Sequence, residues 1–153
     1  MKHDLSGRFG FLVQQVAKMY GDQFDRLARA QIGLSIAQCR ILGALAMHDT
    51  GEPISQTELA KKVGLSAMSV ASACDRMEAA GWLRREPSET DRRINHVELE
   101  PRAERALEAA LALSDALRER ALAALTAAER KQLIALLGKA RNGLLALEGE
   151  AAP

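Results

Sequence analysis

Residues 54–99 read ISQTELAKKVGLSAMSVASACDRMEAAGWLRREPSETDRRINHVEL, and the punctuation of this stretch decides the fold. Ser55-Gln56-Thr57-Glu58 is a capping box: a serine that can accept from the third helical N–H, and a glutamate that can reach back to the serine N–H. It predicts a short helix ending near Val63, and Gly64 supplies a turn. Ser66 caps the next helix, which carries Val70, Ala73, Cys74 and Met77 inward and ends at Gly81. Two short helices joined by a tight glycine turn are the signature of a helix-turn-helix. Trp82 to Arg85 and Ile94 to Leu99 mix apolar and polar residues around a polar middle, Glu86 to Arg93, that contains Pro87. This pattern predicts a β-hairpin with a long charged tip.

On either side of this stretch the chain reads as helix. Upstream, Phe9, Leu12, Val13, Val16, Tyr20, Phe24 and Leu27 recur in steps of three and four, one stripe of a helix over residues 8–30. Gly21 interrupts that stripe without breaking it, and Gly33 makes the following turn. Ser35-Ile36-Ala37-Gln38 is a second capping box, opening a helix through Ile41, Leu42 and Leu45. A polar loop over His48 to Glu52 precedes Pro53. Downstream, Pro101 suits a first helical position, with an Ala/Leu-rich helix expected to about Ala124. Thr126-Ala127-Ala128-Glu129 is a third capping box before a last helix, and Glu148–Pro153 reads as a frayed tail. In that last helix Leu133, Ile134, Leu136, Leu137, Leu144, Leu145 and Leu147 spread around much of the circumference. A small monomer cannot bury both faces of such a helix, so a partner subunit is expected. The expected class is mainly α with a small β-hairpin wing.

Composition narrows the function. The chain has 153 residues, 48% of them hydrophobic and only 3% aromatic, so its core must be built from aliphatic side chains. Net charge is +1, so any nucleic-acid surface must concentrate its positive charge locally. No stretch of about 18 uncharged apolar residues exists, and MKHDLSGRFG lacks the apolar segment of a secretory signal; the expected location is the cytoplasm, without a membrane partner. Cys39 and Cys74 read as small buried hydrophobes. His3, His48 and His96 stand apart from one another and from the cysteines, which points to no metal and no cofactor. No Ser/His/Asp constellation or phosphate loop marks an enzyme.

The helix that begins after Ser66 is the one suited to a major groove, where its first residues come closest to base edges. Ser66, Ala67, Met68, Ser69 and Ser72 hold those positions, and the three serines are three residues apart. The plainer reading of that serine face is an N-cap with ordinary solvent exposure. Gln56, Thr57, Lys61 and Lys62 belong to the preceding helix, whose start can lie against the DNA backbone. Arg76 can reach a phosphate or form a local salt bridge. Arg84, Arg85, Arg92 and Arg93 arm the hairpin, and Asp91 can hold the Arg93 guanidinium. A protruding arginine suits the negative potential of a narrow minor groove.

With these residues in place the chain resembles the MarR family of bacterial transcription regulators. The resemblance runs over nearly the whole length: the leading helix, Gly33 to Gln38, Leu59 to Ser66, Asp75 to Arg85, and the wing residues Asp91, Arg93 and Leu99. It implies a homodimer whose first and last helices interlock, with two winged helix-turn-helix lobes on a pseudo-palindromic operator. It implies a repressor released from double-stranded DNA by a small aromatic or anionic effector. The helical dimerisation region is then 1–34 and 101–153, and the DNA-binding lobe is 35–100. An effector site near the first two helices would be lined by Val13, Val16, Ala17, Tyr20, Ala37, Arg40, Ile41 and Ala44, with Arg40 pairing an anion and Tyr20 donating a hydrogen bond. Two departures stand out: Ala71-Ser72 replaces a frequent Thr-Arg pair, and Glu100-Pro101 replaces a threonine cap. The missing arginine and the near-neutral charge leave open an alternative, a winged-helix protein-interaction module that does not bind DNA.

Overall fold

The computed structural model describes residues 4–48, 53–91 and 93–150. Its elements are α1 (Phe9–Gln31), α2 (Ile36–Ala46), β1 (Ile54–Ser55), α3 (Gln56–Val63), α4 (Ala67–Ala79), β2 (Leu83–Pro87), β3 (Asn95–Leu99), α5 (Ala103–Ala121) and α6 (Ala127–Glu150). The chain divides into two compact units, one running to Asp115 and one beginning at Ala116. The winged helix-turn-helix sits in the first, and the expected mainly helical class with a small β wing is the class observed.

The helix starts follow the sequence closely. At α2 the Gln38 N–H donates to Ser35 Oγ at 3.2 Å and the Ser35 N–H donates to Gln38 Oε1 at 2.8 Å. At α3 the same reciprocal pair joins Ser55 and Glu58, at 3.2 and 2.9 Å. The Ser55 hydroxyl, which donates to Glu58 Oε2 at 2.6 Å, and the Ser55 N–H hold the Glu58 carboxyl below its ordinary range. Thr126 and Glu129 repeat the box at α6, at 3.3 and 2.7 Å. Gly64 closes α3 with φ +66°, a left-handed conformation that a side chain disfavours, and the Leu65 N–H then reaches back to the Ala60 carbonyl at 3.1 Å. That reversal sets α4 across α3.

The core of the first unit has almost no aromatic content. Ile41 and Leu42 of α2, Leu59 of α3, Val70, Cys74 and Met77 of α4, Leu83 of β2 and Val97 of β3 are all but completely buried. Each such aliphatic side chain contributes about 2 kcal/mol relative to exposure. The strands form an antiparallel sheet in the order β1-β3-β2, with Ile54 opposite Val97 and Leu83 opposite Leu99.

Four details differ from the sequence reading. Strand β1 was not expected: two residues are too few to show alternation, and Ser55 serves both as strand and as cap of α3. Helix α5 starts at Ala103, not at Pro101. The Glu100 N–H is committed to the Trp82 carbonyl at 3.0 Å, and Arg102 stacks over the Trp82 ring with its guanidinium 4.5 Å from the centroid, so the chain stays against β2 for two more residues. The same helix ends at Ala121, short of Ala124, where Arg130 Nε donates to the Leu122 and Leu125 carbonyls at 3.0 and 3.1 Å and stops the helix there. At the other end, Glu148 to Glu150 continue α6 instead of fraying, and the rest of the expected tail, 151–153, lies outside the described residues. The expected loop over His48 to Glu52 falls largely outside the described residues.

Candidate nucleic-acid interface

The exposed side of α4 follows from its buried one. Val70, Ala73, Cys74 and Met77 point inward, so Met68, Ser69, Ser72, Asp75 and Arg76 point out, along with Ser66 and Ala67 at the start. Ser66 Oγ accepts from the Ser69 N–H at 3.1 Å and donates to Ser69 Oγ at 2.8 Å. The Ser69 hydroxyl proton is thereby left to face outward. Ser72 is exposed. Arg76 forms no ion pair among the described residues, and the salt bridge considered for it from sequence is not made. On α3, Thr57 is exposed with Lys61 and Lys62, whereas Gln56 has its side-chain Oε1 buried without a hydrogen-bond partner. Gln56 thus offers less to a backbone contact than the sequence suggested, because its oxygen turns inward at the start of α3.

The hairpin divides its arginines by the two-residue period of a strand. Arg84 lies opposite Glu98 across β2 and β3 and pairs with it, with Glu86 at 3.1 Å and with Glu100 at 3.7 Å. Arg85 faces the other way, toward α4. Its backbone N–H donates to Glu78 Oε1 at 2.9 Å, its Nε to Glu78 Oε2 at 3.0 Å, and its Nη1 lies 2.8 Å from Asp75. The Arg85 guanidinium holds the Glu78 carboxyl below its ordinary range. Arg84 and Arg85 are therefore spent on intramolecular pairs that join β2 to β3 and to α4. The sequence could not separate them from Arg93, because the pairing depends on register and on where α4 lies.

Arg93 is different. Its side chain is 90% exposed, and its Nε and Nη2 donate to the two Asp91 oxygens at 3.1 and 2.9 Å. This fork was expected from spacing. The Arg93 guanidinium keeps the Asp91 carboxyl below its ordinary range. Behind it the tip is tied down: Ser88 is buried, its N–H donates to the Ile94 carbonyl at 2.8 Å, and the Ile94 N–H donates to the Asp91 carbonyl at 2.9 Å. Arg92 lies outside the described residues. Between Ile54 and Leu99 acidic and basic residues are equal in number, and among the described residues the unneutralised positive groups on this side are Lys61, Lys62, Arg76 and the outward edge of Arg93.

A second site lies between α1 and α2. An open groove of about 550 Å³ is lined by Ala17, Lys18, Gly21, Asp22, Asp25, Arg26, Arg29, Ile36 and Arg40. Lys18 pairs with Asp22 at 2.6 Å and Arg29 with Asp25 at 2.7 Å. Asp25 also accepts from the Ile36 N–H at 2.8 Å, and the neighbouring Arg29 keeps its carboxyl low. Arg40 is exposed without an ion pair among the described residues. Of the residues expected around an effector, Ala17 and Arg40 line the groove. Ile41 and Ala44 do not, because they sit on the inward side of α2 within the core. Tyr20 turns its hydroxyl to Ser114 Oγ, 3.1 Å away; Val13 and Val16 are exposed on α1; Ala37 is half-buried outside the groove. The sequence missed Lys18, Arg26 and Arg29, whose spacing reads as ordinary helix-surface pairing.

Cys39 and Cys74 are buried free thiols, as expected, and burial pushes both up to about 11. At neutral pH they are protonated and poor nucleophiles. Among the described residues no helix is long and apolar enough to cross a membrane.

Comparison with known proteins now bears on this geometry. The sequence model of the MarR family matches residues 32–94. The HTH-type transcriptional regulator PecS of Dickeya dadantii is 35% identical over 66 residues, which are 43% of this chain and 40% of PecS. The match thus spans less than half of that relative. A solved structure described as a probable transcriptional regulator from Pseudomonas aeruginosa shares 28% identity, with a TM-score of 0.73 over 89% of this chain and 98% of that one. Bordetella bronchiseptica BpsR, whose DNA binding is regulated by 6-hydroxynicotinic acid, superposes with a TM-score of 0.75 at 23% identity, over 92% of this chain and 98% of its own. The relatives are described as transcription regulators, and residues 32–94 of this chain are similar to the MarR family over that stretch.

Proposed function

We propose that the chain is a homodimeric, sequence-specific regulator of transcription that binds double-stranded DNA through the lobe 35–100. The observation that carries this reading is the arrangement at its exposed side. An uncluttered α4 face ends in an unpaired Arg76, beside a hairpin whose tip presents Arg93 in a fork held by Asp91. The α4 face suits a major groove, and the exposed arginine suits the adjacent minor groove. Arg84 and Arg85 support the interface from behind, by fixing the wing to α4 and to its own second strand.

The test is binding of the full-length chain to duplex DNA from its own promoter region at moderate salt. Arg93→Ala is expected to weaken binding about fivefold to tenfold, within the range of one good groove contact. Unchanged affinity across several sites would remove the wing from the interface.

Dimerisation is read from exposed apolar surface. Phe9, Leu12, Val13, Val16 and Met19 lie open on α1, and Ile134, Leu137, Leu144 and Leu145 lie open on α6. Each set supplies surface that a second subunit would cover, and the regions 1–34 and 101–153 are assigned that role. An anionic, aromatic effector fits the α1–α2 groove, where Arg40 has no carboxylate to neutralise it. Release of DNA by such a compound, as a repressor, is the regulatory reading, and BpsR is a solved relative in fold regulated by a compound of that chemistry. The balance of charge in the lobe favours one second reading, a winged-helix interaction module; absence of any duplex binding together with capture of a protein partner would favour it.

A further inference from the structure

Met68 is 82% exposed, the largest exposure of any big hydrophobic side chain among the described residues. It lies in the first turn of α4, with Ser72 one turn on and Arg76 two turns on along the same stripe. Its neighbours at the start of the helix, Ala67, Ser69 and Ala71, are small, so nothing shields it and nothing prevents close approach to a groove floor. The first turn carries no acidic residue, and the helix has no basic one before Arg76. Arg76 sits about 12 Å along the axis from Met68 at 1.5 Å per residue, a distance that suits the flanking phosphates better than the bases under the first turn.

This chemistry restricts what the helix can read. Guanine offers two acceptors to a forked donor, and adenine a donor and an acceptor to an amide. The first two turns of α4 contain neither arginine, lysine, asparagine nor glutamine. They contain hydroxyls and one long, adaptable thioether. The base-edge feature complementary to a thioether is the thymine C5-methyl group. We propose that Met68 is the specificity-determining residue of α4 and reads thymine by packing against its C5-methyl group. The proposal rests on the DNA-binding reading above and adds the base that each half-site must contain.

The test begins with duplexes selected from a random pool by the full-length chain. Each thymine of the selected site is then replaced singly by deoxyuridine, which removes only the methyl group. Wild type is expected to lose affinity about fourfold at one thymine in each half-site, the equivalent of one buried methyl group. Met68→Ala is expected to bind the parent duplex more weakly and to be indifferent to that replacement, while Met68→Leu keeps the sensitivity. Since Met68 is exposed, neither variant disturbs the core. Wild-type indifference to every replacement overturns the assignment and leaves DNA binding standing, as does undiminished sensitivity in Met68→Ala. Recovery of no duplex at all overturns both readings.

Discussion

The winged lobe and the terminal helices are built from similar aliphatic residues and use them in opposite ways. In the lobe, Ile41, Leu42, Leu59, Met77, Leu83 and Val97 converge on one core. In α6 no residue with a described side chain is buried, although leucines are scattered through the helix. The first half of α1 is equally open from Phe9 to Met19, and burial in that helix begins only at Phe24. The contrast shows that hydrophobic content alone does not define a core. A surface this apolar on a chain this size is matched to another surface. The lobe is a finished object; the apolar surface left open on α1, and that left open on α6, is what the proposed second subunit would cover.

The largest effect should come from placing charge on the unfinished surface. Val16→Asp in α1 or Leu144→Asp in α6 is expected to shift association by more than about 100-fold, since burying an unpaired charge costs roughly 3 kcal/mol or more. Sedimentation across protein concentrations reads this. A wild-type chain that is monomeric at every concentration would break the comparison. Next in size, Leu59→Ala in the lobe core should lower stability by about 2–5 kcal/mol in urea unfolding, independently of protein concentration. Leu145→Ala should shift the unfolding midpoint by an amount that grows with protein concentration if, as proposed, a second chain covers it. Equal concentration dependence in the two variants would erase the distinction between core and interface.

Within the lobe the same logic separates free from neutralised arginine. Arg76→Ala should weaken duplex binding about fivefold and lower the salt slope by about one, as for one lost phosphate contact. Arg84→Ala should change affinity less than about twofold, since three carboxylates already surround that side chain. The reverse order would mean that the wing pairs open when DNA binds. The smallest effect belongs to Glu78. Its carboxyl is held below the ordinary 4.5 by Arg85, so its contribution is present above that value and is lost as pH falls through its lowered folded value. Being partly exposed, the pair is discounted to about 0.5 kcal/mol, so Glu78→Gln should cost about that much at pH 7 and progressively less as pH falls below 4.5.

Much of this architecture was legible because it is local. A capping box, a glycine in the left-handed region and a 3.6-residue stripe each act within a few positions, and Ser35, Ser55, Ser66 and Gly64 mark their boundaries accurately. The Asp91–Arg93 fork was legible for the same reason, its partners lying only two positions apart. What escaped depends on residues far apart in the chain. The pairing of Arg84 with Glu98 needs the hairpin register; the pairing of Arg85 with Asp75 needs the position of α4 against β2; the start of α5 needs Arg102 to find Trp82. Burial of Ile41 and Ala44, which removed them from the groove, depends on which side of α2 meets the core.

The account stands or falls on whether the lobe binds duplex DNA through its exposed side. The most direct measurement is the affinity of the full-length chain for a selected duplex over a series of salt concentrations, for wild type and Arg76→Ala. The account predicts a log affinity that falls linearly with log salt, and a shallower slope for the variant. An affinity insensitive to salt, or identical slopes for the two proteins, would contradict it.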